Sequence, residues 1–79
     1  MRDETIVFSL ESKNNPKNDM LSVYNSLTEK GYDAINQISG YILSGDPTYI
    51  TTYKDARSII QHYDRYELLK ILIKFYLTN

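Results

Sequence analysis

From Leu68 to Leu77 only Lys70 and Lys74 interrupt an apolar run. No Gly or Pro breaks the segment, so it reads as a helix. Residues four apart stand one above the other on a helix, so the two lysines share one narrow face. The rest of the circumference is apolar, and a helix apolar nearly all round has to be covered on nearly all sides. The chain has 79 residues, and domains this small bury little surface and are marginally stable. Two arrangements cover such a helix. The other helices ring it, or one face packs inward while another meets a second subunit. The second is the reading adopted here. With no cysteine, disulfides cannot supplement the core. With His62 the only histidine, a structural zinc lacks ligands. Association is the remaining common way to bury apolar surface. The chain carries eight Tyr against two Phe and no Trp, and Tyr is enriched at protein interfaces. The expected state is a homodimer, with Ile38, Gly40, Tyr41, Leu69, Leu72, Ile73 and Tyr76 as the candidate interface.

The other helices follow from periodicity and punctuation. Met20, Val23, Tyr24 and Leu27 fall at i, i+3, i+4 and i+7, which predicts a helix from about Pro16 to Lys30. Asn15 can cap it with Pro16 at its first position, and Gly31 can stop it. Asp33 can cap a second helix with Ala34, Ile35, Ile38, Tyr41, Ile42 and Leu43 as its apolar positions, ended by Gly45. Gly40 falls inside it, at about 1 kcal/mol relative to Ala, which suggests a close approach of another backbone. Asn36 and Gln37 lie beside each other in this apolar run, candidates with Gly40 for a buried polar contact or the subunit interface. Asp46-Pro47 reads as a turn. Thr52 and Asp55 stand in the positions of a capping box, predicting a third helix from near Thr52, with Ala56, Ile59, Ile60 and Tyr63 as its stripe. A break is expected near Tyr63–Asp64, where Asp64 can cap the last helix. Residues 1–15 read as a flexible arm: Ile6-Val7-Phe8 favours extended backbone, and residues 11–19 hold only polar residues and a proline. The expected fold is all-α, a compact bundle of about four short helices in a single domain over residues 16–79, helix-turn-helix-like, with an extended N-terminal arm.

Chemistry is sparse. Asp64 is two residues from His62 and on a helix points elsewhere. Asp33, Asp46 and Asp55 each have a capping explanation. No phosphate loop, dinucleotide fingerprint or metalloprotease motif occurs. The reading is a protein without catalytic residues, metal or cofactor. The net charge of −1 gives no pull toward nucleic acid or membrane. From Thr48 onward, Lys54, Arg57, Arg65, Lys70 and Lys74 face Asp55, Asp64 and Glu67, which is no basic stripe. The alternative function, a helix-turn-helix nucleic-acid binder, places recognition on Thr51, Thr52, Tyr53, Lys54, Arg57 and Gln61. Phosphate contacts dominate such affinity and need more cations than this. No signal-peptide h-region follows Arg2-Asp3-Glu4, and Leu68–Leu77 is too short to span a bilayer. A cytoplasmic protein with no membrane insertion is expected. Thr5, after two acids and before Ile6, is a candidate for phosphorylation, which adds nearly two negative charges.

The pattern Lys30-Gly31-Tyr32, Ile35-Asn36-Gln37-Ile38, Gly40-Tyr41, Leu43-Ser44-Gly45-Asp46-Pro47 and Tyr49-Ile50, followed by Asp55-Ala56-Arg57, resembles the IreB family of small regulatory phosphoproteins. The resemblance runs from Asp3-Glu4-Thr5 to Phe75-Tyr76-Leu77. It implies a helical, homodimeric cytoplasmic protein without enzymatic activity. It further implies a substrate of a transmembrane Ser/Thr kinase with extracellular PASTA domains, opposed by a phosphatase, acting on an unknown downstream protein. The family is tied to cell-envelope stress responses and intrinsic cephalosporin resistance. Its phosphorylated threonines flank an Asp-Glu pair. Thr5 matches the second of them, whereas Arg2 stands where the first would be.

Overall fold

A computed structural model of the chain describes residues 15–78. The expected arm, apart from Asn15, and the extended reading of Ile6-Val7-Phe8 lie outside these residues. Among them are four α-helices and no strand: α1 (Pro16–Glu29), α2 (Ala34–Ser44), α3 (Ala56–Gln61) and α4 (Arg65–Thr78). Two 3₁₀ turns, Pro47–Tyr49 and Tyr53–Asp55, join α2 to α3.

The helix ends follow local chemistry. Asn15 Oδ1 accepts from the Lys17 and Asn18 amides at 2.9 and 3.3 Å, with Pro16 in the first turn. At the other end of α1, the Tyr32 amide donates to the Leu27 carbonyl and the Gly31 amide to that of Thr28. This is the paired bonding of a Schellman stop, and Gly31 supplies its left-handed residue at φ 87°. Asp33 caps α2 through the Asn36 amide at 3.2 Å. Gly45, at φ 78°, ends α2 with its amide on the Tyr41 carbonyl at 2.7 Å. Asp46 accepts from the Thr48 amide at 3.0 Å and the Thr48 hydroxyl at 2.7 Å. These two bonds, hydroxyl first, hold its carboxyl below the ordinary carboxylate range. The chain breaks between α3 and α4, and Asp64 accepts from the Glu67 amide at 3.3 Å.

The third helix differs from expectation. It begins at Ala56, and neither Thr52 nor Asp55 makes a side-chain cap bond, so no capping box forms. Lys54 and Asp55 instead stand in the left-handed region, at φ 50° and 66°. The cause is tertiary. Ile50, fully buried, pins the loop to the core. Arg57 then clamps it, donating from Nε to the Ile50 carbonyl at 2.8 Å and from its amide to the Thr51 carbonyl at 3.0 Å. The chain has few residues between these anchors in which to enter the helix.

The core gathers Val23 and Leu27 of α1, Ala34 and Tyr41 of α2, Ile50, Ala56 and Ile60 of α3, and Leu68 of α4. Of the expected α1 stripe, Tyr24 sits outside the core at its margin. Arg65 ties the start of α4 to the end of α2, with Nη1 donating to the Ile42 carbonyl at 2.8 Å and the guanidinium lying against Gly45. No helix ring surrounds α4. Among the helices its backbone comes within 8 Å of α2 alone, and Leu68 is its one buried residue. No helix among the described residues is long and apolar enough to cross a membrane.

Candidate interaction surface

At about 100° per residue, α4 presents two apolar faces. Leu68, Ile71, Leu72 and Phe75 form the inner one. Leu69, Ile73 and Tyr76 form the outer one, with Leu77 at its edge. Lys70 and Lys74 occupy the arc that remains. Beyond Leu68 every residue of both faces is exposed, up to 85% for Tyr76. The inner face looks across to α1 and α2 over a groove of about 400 Å³. Met20, Leu21 and Tyr24 of α1 form one wall of this groove, and Ile35 and Ile38 of α2 contribute another. Pro16 and Lys17 line it as well, and the Lys17 ammonium stands 5.4 Å from the centre of the Phe75 ring, a cation–π distance.

The candidate interface residues divide by position. Leu69, Ile73 and Tyr76 are on the outer face of α4, and Leu72 and Ile38 are in the groove. Tyr41 is only 5% exposed and packs in the chain's own core. Gly40 is covered from within. A Cβ there would stand 2.5 to 2.8 Å from Tyr49 ring atoms, so the close neighbour is a side chain rather than the backbone expected. Gln37 completes this unit by donating from Nε2 to the Tyr49 carbonyl at 2.9 Å. That bond accounts for Gln37, whereas the Asn36 side chain is exposed and only its backbone amide is engaged, by the Asp33 cap. Thr5 lies outside the described residues.

Of the residues placed at nucleic-acid recognition, Tyr53, Lys54 and Arg57 are engaged within the chain. The Tyr53 hydroxyl donates to Glu29 at 2.9 Å, and Lys54 pairs with the same carboxylate at 3.3 Å. These partners, Tyr53 first, hold Glu29 below the ordinary carboxylate range, and Glu29 in turn raises Lys54. The Lys30 ammonium lies 5.1 Å from the Tyr53 ring centre, and Arg57 is committed to the Ile50 carbonyl. The helix that follows has six residues. Nearer the start of α1, the Tyr63 hydroxyl donates to the Asp19 carboxylate. Burial first, then that carboxylate, pushes the phenol up to about 12. Among the described residues, no three His, Cys, Asp or Glu side chains gather as metal ligands would.

Sequence patterning did not reveal the groove, because its walls come from three helices. The trace it leaves is a surplus of apolar residues beside the core stripes, Leu21 on α1 and Ile35 on α2. The family model for the IreB regulatory phosphoprotein matches residues 3–78. A UPF0297 protein of Ruminiclostridium cellulolyticum is 54% identical over 79 residues, covering 98% of this chain and 90% of that protein. A UPF0297 protein of Acetivibrio thermocellus is 52% identical over 79 residues, covering 98% and 88% respectively.

Proposed function

The chain belongs to the IreB regulatory phosphoprotein family, and on that premise we propose that it is a non-catalytic cytoplasmic regulator switched by phosphate on Thr5. The match over residues 3–78 carries this reading, since it extends through Asp3-Glu4-Thr5. The donor is a transmembrane Ser/Thr kinase with PASTA domains, and a partner phosphatase reverses the mark. The output is control of cell-envelope stress and cephalosporin resistance through a downstream protein. A phosphate at Thr5 adds nearly two negative charges to a stretch that already holds Asp3 and Glu4, enough to change what the segment binds. The working unit is a homodimer. Support for it comes from the outer face of α4, where Leu69, Ile73 and Tyr76 stand 40%, 49% and 85% exposed among the described residues. Contiguous apolar surface of this kind marks interaction sites.

Incubation of the full chain with the host's PASTA-domain kinase, followed by mass mapping, tests the switch. The expected result is one phosphate, on Thr5, that the opposing phosphatase removes. A chain left unmodified by the active kinase, or modified only elsewhere, overturns it.

A further inference from the structure

The groove and the outer face of α4 lie on different sides of one helix, so a single flat partner cannot cover both. With the outer face assigned to a second copy, the groove still needs an occupant, and the chain itself carries one that fits. We propose that the groove between α1, α2 and α4 is the docking site for the chain's own segment Ile6–Leu10.

Position is the first argument. Pro16 and Lys17 line the groove, and the segment is joined to them through Asn15, whose backbone is extended at φ −77°, ψ 111°. The apolar stretch is therefore tethered at the groove itself, at high effective concentration. The polar residues Glu11 to Asn14 supply the chain needed to turn back, since a tight reversal requires only about two.

Size is the second. Extended backbone rises about 3.3 Å per residue, so Ile6–Leu10 covers about 13 Å. The wall of α1 from Pro16 to Tyr24 rises about 12 Å at 1.5 Å per residue. Pattern is the third. Ile6, Phe8 and Leu10 alternate with Val7 and Ser9, so an extended segment directs three large apolar side chains to one side. The groove offers Met20, Ile35, Ile38, Ile71 and Phe75 to receive them. Charge is consistent with this placement. Asp3 and Glu4 precede the apolar stretch and Glu11 follows it, while the charged side chain lining the groove is the cationic Lys17.

Docking goes beyond the phosphate switch and is tested on the unphosphorylated full chain, so its failure is distinct from failure of phosphorylation. The measurement is nuclear Overhauser contact between the Phe8 ring and the methyls of Ile35, Ile71 and Leu72. A second sample, mixed from labelled and unlabelled chains, separates contacts within a chain from contacts between chains. Docking predicts contacts within the chain. It also predicts that Phe8→Ala and Ile35→Asp each abolish the remaining groove contacts and shift the Leu72 methyls, with those of Leu27 and Ile60 unmoved. Ile35 is 64% exposed, so its replacement leaves the core intact. Absence of contacts from residues 6–10 to the groove overturns the proposal. So does a groove whose contacts come only from a second copy.

Discussion

The first and last helices are the same length, fourteen residues each, yet they bury unequal shares of their apolar side chains. α1 is amphipathic, and its stripe places Val23 and Leu27 wholly out of water. α4 is far richer in apolar residues but buries Leu68 alone. Apolar content therefore does not decide burial here; arrangement does. A single stripe is satisfied by one neighbouring layer, and α1 has that layer in α2 and α3. Two stripes on one helix need covering on two sides, and α4 has a partial layer, α2, on one. The chain is thus a closed core on α1, α2 and α3 with a hydrophobic helix attached at its N-terminal end through Leu68 and Arg65.

The sharpest test of this contrast is a pair of truncations. Leu27→Ala is expected to cost about 2–5 kcal/mol, because a fully buried Leu leaves a cavity. Leu77→Ala, at 71% exposure, is expected to cost less than about 0.5 kcal/mol. Urea unfolding at concentrations too low for self-association measures both. Comparable losses would break the contrast.

A second test concerns how tightly the closed region is fitted. Gly40→Ala gains helix propensity of about 1 kcal/mol but drives a Cβ into the Tyr49 ring, an overpacking of about 1–3 kcal/mol. The expected net is a destabilisation of about 1 kcal/mol. In a Tyr49→Ala background the same substitution is expected to become stabilising. A double-mutant cycle reads this reversal of sign. At the strained entry to α3, Asp55→Gly removes the cost of a left-handed side-chain residue. It is expected to stabilise by about 0.5–1 kcal/mol, read as a raised urea midpoint.

The smallest effect is alkaline. The Tyr63 phenol is raised above its unfolded value, to about 12, so its neutral form favours the folded state. That contribution is fully present below about pH 10, the unfolded value, and is lost as pH rises through about 12. Urea midpoints followed from pH 9 upward should fall more steeply for the wild type than for Tyr63→Phe. Parallel curves would remove Tyr63 from the account.

What could be read ahead of the fold was local. Asn15-Pro16, Asp33, Gly45-Asp46-Pro47 and Asp64 each bond within three or four residues of themselves, so the sequence around them contains the whole interaction. The helix stop at Gly31 is of the same kind. The misread position, Thr52 to Asp55, has the right local pattern for a cap. It is overruled by Ile50 and Arg57, which fix the loop from the core. Gln37 is similar: its partner is a carbonyl twelve residues away, outside any window of helical periodicity. The groove was least legible. It exists because α4 leans on α2 and stands off from α1, a matter of three-body placement. The apolar excess of Leu68–Leu77 did announce that this helix needs cover on more than one face, but not that its inner face stands off from α1 across a groove.

The proposed partner for the outer face of α4 is a second copy of the chain. Sedimentation equilibrium of the full chain at micromolar concentration tests it most directly. A dimer through this face gives a species of about twice 9.2 kDa that Ile73→Asp converts to the single mass. A wild-type chain that sediments at 9.2 kDa under those conditions would contradict it.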